Sequence, residues 1–184
     1  MGHVRNSPQN PGRLGLIVVR PAEDVREVLD HAHVDADSGL VGDTWHSRPS
    51  SRSSDGGPDR EAQVTVMNIR FAQLIAGSQE AMPLAGDQLY VDLDLSNSNL
   101  PTDSLLRIGS AVLRVTEAPH TGCIKFKRRF GKAAFDKTFT DEGQQLRLRG
   151  INTTVVQSGR ISVADVIHVE RPIAEKGTNA PRFS

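Results

Sequence analysis

The sequence predicts a mainly β protein, a closed or nearly closed barrel with a few short decorating helices. Three observations lead there. Short β-branched runs recur along the chain, at 14–20, 63–67, 88–96, 111–119, 151–159 and 164–170. Turn-forming residues separate them, such as NSNLP at 97–101 and Gly109 between two apolar runs. No strand–helix alternation is sustained and no repeat is visible, which argues against a doubly wound sheet or a solenoid. With 184 residues the chain is long enough to bury one sizeable core.

Taken in order, residues 1–13 are rich in Asn, Pro and Gly and read as a flexible lead-in. LGLIVVR at 14–20 reads as a strand. PAEDVREVLDHAHV at 21–34 reads as a helix, because Val25, Val28, Leu29 and Ala32 repeat at helical spacing behind Pro21. Its His31 and His33 would then face different ways, as solvated side chains. PSSRSSDGGP at 49–58 has almost no apolar content and reads as a loop, and it lacks any phosphate-loop pattern. QVTVM at 63–67 is a strand, Asn68 an N-cap for the helix that follows, and Gly77 its stop. QLYVDLDLS at 88–96 alternates strictly, which is the pattern of a half-buried strand with Tyr90, Asp92 and Asp94 facing solvent. LLRIG and AVLRVTEAP read as a strand pair, INTTVVQSG and ADVIHVE as further strands. The expected domain is 14–170, with a flexible tail at 171–184.

The most informative stretch is APHTGCIKFKRRFG at 118–131. It holds the only cysteine, Cys123, with His120 before it and Lys125, Lys127, Arg128 and Arg129 after it. Only a thiolate attacks an electrophile or ligates a metal well, and nearby cations or a helix N-terminus favour that form. The competing reading is a small buried hydrophobe ahead of a solvated basic face. Four of the six phenylalanines lie between Phe126 and Phe139, a local aromatic core.

Global composition narrows the function further. With 22 basic and 22 acidic residues the formal net charge is zero, so only local patches could steer a charged partner. Basic residues and phenylalanines interleave in KFKRRFGK, but the run is short, and a nucleic-acid partner is not expected. One cysteine cannot make an internal disulfide, and no apolar run approaches the roughly 20 residues that span a bilayer. The expectation is a cytoplasmic protein without a membrane segment.

Several blocks appear together in one order: GLVGDTWHSR, REAQVTVMN, GDQLYVDLDLSNSNLP, LLRIGSAVLRVTEAPHTGCIKF and LRLRGINTTVVQSGRISVADVIHV. Around a single cysteine this set resembles the MOSC domain, the module named for the C-terminal domain of molybdenum-cofactor sulfurases, and in particular the stand-alone bacterial type. The resemblance covers about residues 15–170. His120 stands where the family often has Arg, Gly122 where it often has Pro, and Ala164 where a glycine is expected before Asp165.

The resemblance implies a MOSC-like β-barrel in which Cys123 is the central residue. That residue would bind the molybdenum of a pterin cofactor or carry sulfur as a persulfide. It also implies a small-molecule substrate or sulfur donor and, for an oxidoreductase acting on N-hydroxylated compounds, a separate electron-transfer protein. His120 would act as proton donor or acceptor. Asp43, Asn99, Lys125, Arg129, Arg149 and Asn152 are the residues expected to hold the cofactor, the cations by its phosphate.

Overall fold

The computed structural model of the chain describes residues 1–50 and 52–173. Among them eleven strands form: β1 (Gly12–Val19), β2 (Glu27–Leu29), β3 (His31–Asp35), β4 (Gly39–Leu40), β5 (Val64–Asn68), β6 (Leu89–Asp92), β7 (Leu105–Ile108), β8 (Ala111–Val115), β9 (Ile151–Gln157), β10 (Gly159–Ser162) and β11 (Val166–Glu170). Four α-helices accompany them: α1 (Gly2–Arg5), α2 (Ile69–Ala76), α3 (Ile124–Lys137) and α4 (Asp141–Gln145).

Seven strands close a barrel in the order β11-β7-β8-β9-β5-β6-β1, with β1 returning to β11 and β2 appended outside it. Closure satisfies backbone groups that an open sheet would leave at its edges. A smaller sheet, β10-β3-β4, lies beside it. The pairing β5–β6 is parallel, and α2 makes the crossover between those two strands. Asn68 caps α2 as its residue type predicts: its Oδ1 accepts from Arg70 N at 2.9 Å and Phe71 N at 3.1 Å. Gly77 ends the helix with φ of 70°.

Leu14, Ile17, Val64, Val66, Leu89, Val91, Leu113 and Ile167 fill the barrel interior. A second core lies outside the wall, where Val18, Met67, Phe71, Tyr90, Phe126 and Leu148 pack under α2 and α3. Burying each such large apolar side chain contributes about 1.5–3 kcal/mol before entropy is charged against it.

Three expectations are corrected. The segment 21–34 is not a helix: it supplies β2 and β3, and tertiary pairing overrides a marginal helical period. The decisive contacts are Ile17↔Leu29 on the preceding strand β1 and Ile161↔Ala32 on β10, the latter far away in sequence. His31 and His33 therefore share one exposed face of β3. Second, Tyr90 does not face solvent. Strand β6 is covered on both sides, and the Tyr90 hydroxyl donates to Met82 O at 3.0 Å. Asp92 on the same face is held by Arg70 at 2.7 Å. Third, Arg160, Ile161 and Ser162, to which the sequence assigns no strand, join Gly159 in β10 and pair with β3.

Residues 1–13, expected as a lead-in, include α1 and the start of β1. Val4 is buried, and the Asn68 amide donates to Ser7 Oγ at 2.8 Å. Of the expected tail at 171–184, residues 174–184 lie outside the described residues, while Arg171 Nε donates to Asn99 O at 2.8 Å.

Candidate functional site

The segment from Thr116 to Cys123 carries the chain from β8 into α3. Cys123 is the N-cap residue of α3, in extended conformation, with its side chain exposed and making no cap bond. Gly131, at φ of 83°, breaks α3 into two halves. Cys123 opens onto a groove of about 480 Å³ lined also by Trp45, Arg48, Arg52, His120 and Asn152. A second cavity of about 340 Å³ is lined by His120, Thr138, Arg147, Arg149, Gly150 and Asn152. The two meet at residues common to both, including His120 and Asn152. Volumes of this order suit a small ligand or cofactor fragment.

Beneath His120 lies a buried charged cluster. His120 Nε2 is 2.6 Å from Asp87 Oδ1, and Arg149 Nη1 donates to Asp87 Oδ2 at 2.6 Å. Arg149 Nη1 also stands 3.0 Å from His120 Nε2, and Arg149 Nη2 donates to Ala85 O at 3.2 Å. The guanidinium carbon lies 5.0 Å from the Phe126 ring centroid, a cation–π approach, and Nε is buried without a partner. Burial lowers the His120 pKa, and the Arg149 charge lowers it further, against the opposing pull of Asp87. Burial alone would raise Asp87, but the Arg149 charge and the hydrogen bonds from His120 and Arg149 more than offset it and hold the carboxyl below its usual range.

Gly150 enforces this arrangement. Its φ is 106°, and a Cβ there would lie 2.3 Å from Val66 O and 3.1 Å from His120 Cδ2. Asn152, from β9, donates through its amide to Ala118 O at 3.1 Å and so pins the loop that carries His120.

A second buried pair supports the groove from the Trp45 side. Arg20 Nε and Nη2 donate to Asp43 Oδ2 and Oδ1 at 2.7 and 2.9 Å, while Asp43 Oδ1 also accepts from Trp45 N at 2.8 Å. This two-pronged geometry is the favourable one for guanidinium and carboxylate. Asp43 is thus engaged inside the protein and does not line either cavity.

The basic run behind Cys123 is largely paired with acids. Lys125 Nζ lies 2.7 Å from Glu23 and 3.4 Å from Asp24, and Arg129 Nη2 lies 2.5 Å from Asp24. Lys132 pairs with Asp136. Lys125 and Arg129 therefore anchor α3 to the 23–24 turn and line neither cavity. Asn99 lies elsewhere, its amide donating to Gln9 O at 3.0 Å and Asp94 O at 2.7 Å. Of the residues expected from the sequence, the structure brings Cys123, His120, Arg149 and Asn152 together, and places Asp43, Lys125, Arg129 and Asn99 outside the cavity walls.

Sequence reasoning missed Asp87, Arg48 and Trp45. Asp87 sits in the GDQL block and the other two in GDTWHSR, but nothing local distinguishes Asp87 and Arg48 from solvent-facing polar residues, or Trp45 from an ordinary core residue. Arg48 lines the Cys123 groove and makes no ion pair among the described residues.

A family model described as MOSC domain matches residues 57–168. The chain belongs to the MOSC family. No curated protein sequence matches it significantly. Among solved structures, this MOSC protein is similar to the YUAD protein of Bacillus subtilis, with a TM-score of 0.61 at 17% identity, covering 86% of this chain and 95% of that one. It is also similar to YiiM of Escherichia coli (TM-score 0.55, 16% identity, 88% and 71% covered) and of Geobacillus stearothermophilus (0.52, 15%, 87% and 75%). At such identities the likeness is one of fold.

Ala164 now has a structural meaning in this MOSC barrel. Its φ is 72°, the left-handed region, at the position where the resemblance led glycine to be expected. The donor set also bears on the cofactor. Among the described residues no three His, Cys, Asp or Glu side chains converge to hold an ion unaided. A single exposed thiol in a polar groove suits a metal whose other ligands belong to a bound organic group. Arg48 and Asn152 at the same groove suit that group's phosphate and ring heteroatoms.

Proposed function

We propose that the protein binds a molybdenum–pterin cofactor through Cys123 and acts as an oxidoreductase on N-hydroxylated small molecules. The observation that carries this reading is the exposed Cys123 thiol opening onto the groove shared by His120, Asn152 and Arg48. When bound, the cofactor supplies the redox-active metal. The chain supplies the rest: Cys123 anchors the metal, Arg48 neutralises phosphate charge, Asn152 offers its amide, and His120 exchanges a proton with substrate. Electrons come from a separate electron-transfer protein. The test is metal and pterin analysis of protein purified from a cofactor-competent host. Near-stoichiometric molybdenum is expected, falling to background in Cys123→Ala. Metal-free and pterin-free wild-type protein from that host would overturn the reading.

The same exposure favours one second reading, a sulfur carrier, because an accessible thiol can accept sulfur as a persulfide. Incubation with a cysteine desulfurase should then add about 32 Da to the intact mass, removable by reductant and absent in Cys123→Ala.

A further inference from the structure

We propose that Asp87 and Arg149 are positioning residues that hold His120 as the neutral Nε2–H tautomer. Nδ1 is then a proton acceptor where the two cavities meet, for ligands that present an O–H, N–H or S–H group. The inference deepens the reading of the Cys123 groove as the working site and names what that site selects.

The geometry dictates the tautomer. Asp87 Oδ1 lies 2.6 Å from His120 Nε2, and a carboxylate oxygen can only accept, so Nε2 carries the proton. Arg149 directs a proton of Nη1 to Asp87 Oδ2 at 2.6 Å. Arg149 Nη1 also directs an N–H toward Nε2 at 3.0 Å. An Nε2 lone pair there would nonetheless face the Asp87 carboxylate oxygen at 2.6 Å, acceptor against acceptor, so the shorter contact to the charged partner decides which atom holds the proton. A fixed guanidinium beside the ring disfavours a second positive charge on it. Arg20, paired with Asp43, adds a weaker field of the same sign. Asp87 is the opposing charge, and it is shared with Arg149. The remaining nitrogen, Nδ1, has no hydrogen-bond partner among the described residues and is not sealed from solvent. His120 lines both cavities, so a ligand in either can reach the imidazole.

The arrangement has a consequence for selectivity. A lone pair at Nδ1 accepts a hydrogen bond from a hydroxylamine, amidoxime or thiol. A carboxylate or phosphate oxygen placed there meets a second acceptor and gains nothing.

Long-range 1H–15N NMR tests the proposal on metal-free protein, with the His120 signals identified by their loss in His120→Gln. Wild type is expected to show Nε2 protonated and Nδ1 bare at about pH 7, and still at about pH 6, where an unperturbed imidazole is mostly charged. An Nδ1–H tautomer, or an imidazolium at about pH 7, overturns the proposal without any variant. In Asp87→Asn the side-chain amide can donate to Nε2, and the tautomer is expected to switch to Nδ1–H. An unchanged tautomer in a folded Asp87→Asn protein overturns the role of Asp87. Arg149→Met is expected to raise the pH at which His120 charges, and Arg149→Lys to restore it. Hydroxyurea should shift the Nδ1 resonance and acetate should not; the reverse result, or no shift with hydroxyurea, overturns the ligand class. The same spectra recorded on Cys123→Ser should match wild type, so the tautomer can stand or fall independently of what Cys123 carries.

Discussion

Arg149 and Asp87 meet at 2.6 Å inside the protein, with side chains 8% and 0% exposed. Each is the other's main compensation for leaving water, since removing one partner strands a buried charge. Asp87→Leu is therefore expected to destabilise the fold by about 3–5 kcal/mol, read as a lowered urea midpoint. Arg107→Ala, which breaks the half-exposed pair with Glu170, should lower the midpoint far less, because water screens that pair. Equal effects of the two would show that burial does not govern these pairs.

Asp43 links Arg20 to the Trp45 backbone, and Trp45 is the only tryptophan, 5% exposed. Asp43→Ala should free the Trp45 turn while stranding Arg20. The expected result is a red-shifted tryptophan emission in the native protein together with a loss of roughly 3–5 kcal/mol in unfolding free energy. Emission unchanged from wild type would mean that the turn is held by other contacts.

Stability should depend on pH near neutrality because of His120. Its folded pKa lies below the unfolded value, chiefly through burial and then through the Arg149 charge. The unfolded state consequently binds more protons over that interval, and the stabilising contribution is complete above about pH 6.5. It is lost as pH falls through 6.5 toward the folded pKa. Asp87, whose pKa is lowered, adds a second loss only below about pH 4. Tm measured from about pH 8 to 5 should fall in the lower half of that range, and the fall should shrink in His120→Gln.

Ala164 adopts φ of 72°, where a Cβ is strained and glycine is not. Ala164→Gly should stabilise the barrel by up to about 1 kcal/mol, the relief of strain exceeding the added chain entropy of glycine. A lower Tm in the variant would show that the alanine methyl packs usefully in the turn between β10 and β11.

Cys123 should label in the native protein with a maleimide, without denaturant, because its side chain is exposed. Protection that disappears only on unfolding would contradict the placement of the thiol at the groove.

Much of the barrel was legible along the chain. Periodicity located β1, β5, β6, β7, β8, β9 and β11, and residue chemistry located the cap at Asn68 and the stop at Gly77. The failure at 21–34 has a physical cause: four apolar residues at helical spacing are a weak local preference, and β1 and β10 outcompete it with ladder bonds. Tyr90 was misplaced because alternation cannot show that α2 covers the outer face of β6.

For the site, the sequence by itself determined the candidate residues. One cysteine, a histidine three positions earlier and an ordered set of family blocks single out Cys123 and His120. The environment of those two residues was not written locally. The cations after Cys123 read as a flank for the thiol, yet Glu23 and Asp24 bind Lys125 and Arg129 from about a hundred residues away. Asp87, unremarkable in GDQL, became the partner of His120 and Arg149 only when three separated segments folded together. Residue identity fixes what a side chain can do, whereas its protonation, its partners and the cavity it faces depend on charges and burial that only the closed barrel brings within a few ångströms.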